Sequence, residues 1–156
     1  MDNYVITIAR EYGSGGKTIG KMLADHLGIP CYDMEILRMA SDDSGINEQL
    51  FAKSDEQLKR PIFFKPSRSV YTDELIPPGS KNFVSEENLF NYQAKIIKML
   101  ADKESCVIIG RCADFVLKDR PNVLKVYVHA PFENCVKTTM EIRNLDQASR
   151  KVCTQG

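Results

Sequence analysis

Six consecutive residues near the start of the chain, Gly13-Ser14-Gly15-Gly16-Lys17-Thr18, combine the residue types that bind phosphate. Glycines let successive backbone N–H groups curl around phosphate oxygens. A lysine reaches the outer phosphates, and a Ser or Thr hydroxyl suits Mg²⁺. A following helix turns the positive end of its dipole toward the anion. Set against G-x-x-x-x-G-K-[ST], residues Gly16, Lys17 and Thr18 match, and Glu11 holds the first glycine position. A second register makes Gly15 the second motif glycine, puts Gly16 in the lysine slot and leaves Lys17 one residue late. The first register keeps both Lys17 and Thr18 in working positions. A carboxylate at Glu11 must turn away from phosphate, pair with Arg10 or bind metal. A ligand-free glycine turn is the plainer alternative; the strand before the loop and the helix after it argue against that.

Phosphoryl transfer asks for positioning and charge stabilisation. Arg111 follows the apolar run "CVIIG" directly. Ligands bind open α/β sheets at such strand ends, and a guanidinium can grip phosphate there with two parallel hydrogen bonds. An ion pair with Asp114 or Glu35 is the structural alternative. Asp33 ends the run "IPCYD". It can contact an acceptor or a metal-bound water, or cap the helix that begins at Met34. Arg143 and Arg150 lie among many charges and also read as solvated helix residues; Lys21 and Arg38 are equally ambiguous. His26 reads as a core histidine, His129 as a hydrogen-bonding residue at a strand end, and Asp42-Asp43 as a solvated loop. Phe63, Phe64 and Tyr71 suit packing, an oligomer contact or stacking on a base.

These residues need elements to position them. Tyr4 to Ala9, Ile29 to Asp33, Cys106 to Gly110 and Val123 to Ala130 read as strands; the first and third are apolar on both faces, as buried parallel strands are. Ile19, Met22, Leu23, His26 and Leu27 recur at helical spacing, and Gly28 stops that helix. "MEILRMA" starts another. Residues 85–103 form an amphipathic helix on Leu89, Phe90, Ile96, Ile97 and Leu100. Residues 131–143 and 145–152 also read as helical. Residues 60–84, with four prolines, read as a long loop or lid-like insertion. Alternation of strand and helix predicts an α/β fold with a parallel sheet. No fifth strand follows Val128, although a domain of this kind usually closes with another strand and helix; a shortened C-terminal region is one expectation.

At 156 residues the chain has the length of one domain. Its 21 basic and 21 acidic residues balance, which argues against a nucleic-acid polymer as partner. No apolar run is long enough to span a membrane. The five cysteines are scattered and form no CxxC pair, so they read as reduced thiols and the expected location is cytoplasmic.

"ITIAREYGSGGKTIGKMLADHLGIPCYD", together with "CVIIGRCADFVLKDRPNVLKVYVHAP", resembles the cytidylate kinase-like proteins of the P-loop kinase superfamily. In that group a "REYGSGG" loop replaces the usual motif and "IIGR.AD" follows the third strand. The resemblance covers about residues 4–40 and 85–143. It implies a three-layer P-loop NTPase-like fold over residues 1–156, with an acceptor-binding insertion at 41–84 and a lid-like helix pair at 131–156. The implied activity is transfer of the terminal phosphoryl of ATP, with Mg²⁺, to CMP or dCMP. Gly13, Ser14, Gly15, Gly16, Lys17 and Thr18 would hold ATP phosphates, with Thr18 on the metal. Asp33, Arg111 and Asp114 would face the acceptor, and Arg143 and Arg150 are the candidates for the lid arginine. In true cytidylate kinases an aspartate follows the arginine of this motif directly; here Cys112 does, and the nearest acid is Asp114. A nucleotide-binding protein without kinase activity and a P-loop kinase of a non-nucleotide small molecule are the alternative functions. A homodimer built on the aromatic insertion is a further expectation.

Overall fold

Strand β1 (Val5–Arg10) runs through the middle of a four-stranded sheet. Its first four residues are buried, because sheet neighbours flank it on both edges and side chains cover both faces. In the computed structural model, which describes residues 3–57 and 73–143, the other strands are β2 (Cys31–Tyr32), β3 (Cys106–Ile109) and β4 (Val123–Val128). The sheet order is β2-β3-β1-β4, and every pairing is parallel. The helices are α1 (Gly16–Leu27), α2 (Glu35–Ser44), α3 (Glu48–Gln57), α4 (Glu86–Lys103), the single turn α5 (Ala113–Val116) and α6 (Phe132–Arg143). The fold class is α/β, a parallel sheet flanked by helices, as the alternating pattern predicts. No described helix is long and apolar enough to cross a membrane.

The chain divides into two compact units, one comprising Met1–Asp33 with Lys103–Gly156 and the other Met34–Asp102. The first contains the sheet. Ile6, Ile8, Val107, Ile109 and Ala24 form its core, with Leu23, Ile29, Cys31, Val126 and Val128 packed against them. Strand β2 is shorter than the expected Ile29 to Asp33. Proline has no N–H to donate to a ladder, so Pro30 only accepts, its carbonyl receiving the Val107 N–H at 2.9 Å.

Helix α1 ends at Gly28 in the left-handed region, φ 65°, as predicted. Its buried face is only in part the predicted one, since Leu23 alone of the predicted set packs on the core described above while the buried positions are small. Gly16, Gly20 and Ala24 face inward. Ile19 is 47 % exposed, Met22 65 %, and His26 is exposed rather than a core residue. The cause is a close approach. A Cβ on Gly20 would stand 2.9 Å from Ile109 Cδ1 and 3.0 Å from Ile8 Cδ1, so only a small residue lets the helix lie this near the sheet.

The second unit holds α2, α3 and α4. Asp42 and Asp43 belong to the last turns of α2 rather than to a loop, and Asp43 pairs with Lys95 at 2.6 Å. In α4, Leu89, Ile96, Ile97 and Leu100 are buried as expected, while Phe90 is half-buried. Residues 73–84 have no regular structure beyond turns. Two buried asparagines of α4 hold them. Asn88 accepts the Ile76 N–H at 2.8 Å and donates to the carbonyls of Ile76 and Phe83, and Asn91 donates to the carbonyl of Glu74 at 2.9 Å. Buried amides thus replace the ladder that an irregular backbone lacks.

Candidate functional site

The phosphate-loop candidate spans the carboxyl end of β1 and the start of α1. Gly13 and Gly15 take φ of 79° and 85°, a region open to glycine at little cost. Gly13 has no room for a side chain, since a Cβ would run into the Cys135 carbonyl oxygen and lie 2.7 Å from Thr139 Oγ1. Gly15 faces open space and occupies the N-cap of α1, where it offers no side-chain acceptor. The first turn of α1 carries no acidic residue. Its leading N–H groups therefore have neither a side-chain cap nor an acidic residue in their own turn, the condition in which a helix start attracts an anion. Thr18 is exposed on that turn.

The Glu11 carboxylate turns toward the end of β4. It receives the Tyr127 hydroxyl and lies 3.5 Å from the Ala130 N–H. Desolvation first, and then the Glu11 charge and hydrogen bond, hold the Tyr127 hydroxyl above its ordinary pKa. The Glu11 carbonyl accepts from the backbone and side chain of Ser14, at 3.2 and 2.7 Å, which tightens the loop. Of the outcomes open to Glu11, the pair with Arg10 is not formed, and the carboxylate turns to Tyr127 and Ala130 instead. Tyr127 also stacks with His129, ring centroids 6.3 Å apart.

Lys17 reaches the end of β2, where its Nζ lies 2.8 Å from Asp33 Oδ2. The lysine side chain is 53 % exposed and the aspartate 9 %, so a buried carboxylate anchors a cation that remains open to solvent. Met34, not Asp33, takes the N-cap position of α2. At the end of β3, Gly110, Arg111 and Cys112 have φ of 68°, 60° and 52°. Three successive left-handed residues, two of them not glycine, turn the chain sharply into α5. Each non-glycine residue there costs about 1–2 kcal/mol. Arg111 is half-buried, and Asp114 lies in the first turn of α5 without an ion pair to it. Arg143 is the last residue of α6. Arg150, Phe63, Phe64, Tyr71 and the helix expected at 145–152 lie outside the described residues.

Lys17, Asp33, Gly110, Arg111 and the glycine loop thus share the carboxyl edge of one parallel sheet, where α/β folds bind ligands. Arg10 belongs to the same edge, although the sequence presents it only as a partner for Glu11. It makes no ion pair with Glu11. Its Cβ and Cγ cover Gly16, and its guanidinium lies against Gly110. Its place between the strand read at Tyr4 to Ala9 and the glycine loop is the available signal. No cluster of three or more His, Cys, Asp or Glu side chains able to hold a metal occurs among the described residues. A divalent ion at this edge would therefore rely on phosphate oxygens together with hard oxygen donors such as the Thr18 hydroxyl. The uncapped helix start and the open space at Gly15 fit a bound phosphate chain.

No curated protein matches the chain. Among solved structures, the crystal structure of an uncharacterized protein from Eubacterium ventriosum ATCC 27560 is similar, with a TM-score of 0.59 and 24 % identity. That likeness covers 97 % of this chain and 68 % of the other, and it supports the fold. The model of the cytidylate kinase-like family matches residues 5–155, so the chain belongs to the cytidylate kinase-like family.

Proposed function

We propose that this protein transfers the terminal phosphoryl group of ATP to a nucleoside monophosphate, CMP or dCMP. The observation that carries the reading is the uncapped start of α1 behind a glycine loop, with Lys17 and Arg111 on the same sheet edge. Membership of the family supports kinase-type chemistry on nucleotides.

In this reading the N–H groups of Gly13 to Thr18 cradle the phosphate chain, and Lys17 adds positive charge at its outer end. The Thr18 hydroxyl supplies a ligand to Mg²⁺. Bound MgATP would bring the transferable phosphoryl group and neutralise part of its charge. Arg111 holds and orients the acceptor phosphate through its planar guanidinium. Asp33 and Asp114 contact the acceptor nucleoside, and Arg143 serves as the lid arginine that stabilises charge on the group in flight. Residues 41–84 form the acceptor-binding region and 131–156 the lid, within one functional domain. The free thiols agree with a reducing, cytoplasmic setting.

A thermal-shift panel with MgATP, CMP, dCMP, UMP and AMP tests this reading. Ligand at a hundred times its dissociation constant adds about 2.7 kcal/mol, or roughly 5–10 °C for a chain of this size. Shifts with MgATP and with CMP or dCMP are expected. A shift with MgATP alone points to a nucleotide-binding protein without this acceptor or to a kinase of another small molecule. No shift with any ligand contradicts the phosphate-loop reading.

A further inference from the structure

Arg10 and Gly16 are matched in space. A Cβ on Gly16 would stand 2.5 Å from Arg10 Cβ, 2.9 Å from its Cγ and 3.3 Å from Val128 Cβ. No side chain fits at residue 16 while Arg10 holds this position. The arginine continues past Gly16 to Gly110, where its Nη1 fills the space a Cβ would take. Its guanidinium therefore lies between the ends of β1 and β3, which are neighbours in the sheet. It makes no ion pair with any described residue.

The two motif registers assign residue 16 differently. When Gly15 is the second motif glycine, residue 16 is the lysine slot and residue 10 the first glycine slot. Gly15 caps α1 and Gly16 is its first residue, so in that register Lys17 and Thr18 follow the lysine slot within the same helical turn. Relative to the standard pattern, two slots have then exchanged content. A cation has moved from the helix start to the strand end, and the glycine has moved the other way. The stem of Arg10 occupies the volume that the lysine stem would need.

We propose that Arg10 is a phosphate-binding residue of this loop, standing in for the lysine that residue 16 lacks and acting beside Lys17. The proposal rests on the reading of the loop as a triphosphate site. A guanidinium also changes what the loop can do: it can grip two phosphate oxygens at once, whereas an ammonium acts as a point charge.

Calorimetric titration of the full chain with MgATP, and separately with inorganic tripolyphosphate, tests it. Arg10→Gln keeps the stem that packs on Gly16 and removes the charge. It should weaken both ligands about tenfold to a hundredfold, the worth of one charge-assisted contact. The ligand-free unfolding midpoint should stay at the wild-type value, which a merely structural role would not allow together with that loss. Arg10→Lys should recover part of the affinity. The double variant R10G/G16K restores the standard pattern and should bind more tightly than R10G alone. Wild-type affinity in R10Q, or a double variant no better than R10G, overturns the assignment and leaves the loop reading intact. Wild-type protein that binds neither ligand overturns the loop reading and this assignment with it.

Discussion

The turn after β1 and the turn after β3 leave neighbouring parallel strands at the same edge, and both do so through left-handed backbone. They reach it with different residues. After β1 the positive φ angles fall on Gly13 and Gly15; after β3 they fall on Gly110 and then on Arg111 and Cys112. Glycine takes this region freely, whereas other L-residues lose about 1–2 kcal/mol each. The first turn is relaxed and shaped to expose backbone N–H groups. The second holds strain in the residue that carries the guanidinium. Strain of this kind persists where surrounding structure enforces it, and it concentrates at binding sites.

The largest expected effect separates two glycines of the first turn. Gly13→Ala meets both the backbone cost and a collision with the α6 backbone, and should destabilise by about 2–4 kcal/mol. Gly15→Ala has open space and should cost only the backbone term, about 1–2 kcal/mol. Urea unfolding midpoints measure both, and equal losses would remove the packing role of Gly13. In the second turn the sign reverses. Cys112→Gly relieves a left-handed residue at the cost of added chain entropy in the unfolded state, a net gain of about 0.5–1 kcal/mol in the same unfolding assay. A loss there would mean that the turn is not strained.

These differences bear on how far the site could be read from residues alone. Strands β1 and β3 are apolar on both faces, and Gly28 marks a helix end, so they are legible. The glycine loop is legible because only glycine suits its angles. The second turn is not, since nothing in Arg111 or Cys112 announces a left-handed conformation. The buried face of α1 is hard to read from sequence for a related reason. Gly16, Gly20 and Ala24 contribute little hydrophobicity, so the periodicity of Ile19, Met22 and Leu23 outweighs them although close packing selects the small residues. Arg10 stands just past the strand read at Tyr4 to Ala9, and its path over Gly16 to Gly110 exists only in three dimensions. The Lys17–Asp33 pair likewise joins residues on different elements.

Smaller effects are expected around each turn. Asp33→Asn removes the partner of a lysine that is half exposed, so stability should fall by less than about 1 kcal/mol. A larger loss in chemical denaturation would make the pair a structural anchor. Glu11→Gln removes the carboxylate that holds the Tyr127 hydroxyl up. Its pKa should fall toward the ordinary phenol value, visible as an earlier onset of phenolate absorbance as pH rises. An unchanged onset would detach Glu11 from Tyr127. Among the described cysteines, Cys112 is exposed, whereas burial foremost, then the charges of Glu104 and Cys31, push the Cys106 thiol up to about 11. Alkylation near pH 8 followed by peptide mass mapping should label Cys112 early and Cys106 only on unfolding. Early labelling of Cys106 would show that β3 is not closed.

The central claim is that this sheet edge moves a phosphoryl group from ATP to a pyrimidine nucleoside monophosphate. Its most direct test incubates the full chain with MgATP and CMP, or with dCMP, and separates the nucleotides by ion-exchange chromatography. The account predicts CDP or dCDP in amounts equal to the ADP formed. ATP that stays intact with both acceptors, in protein that binds MgATP, would contradict it.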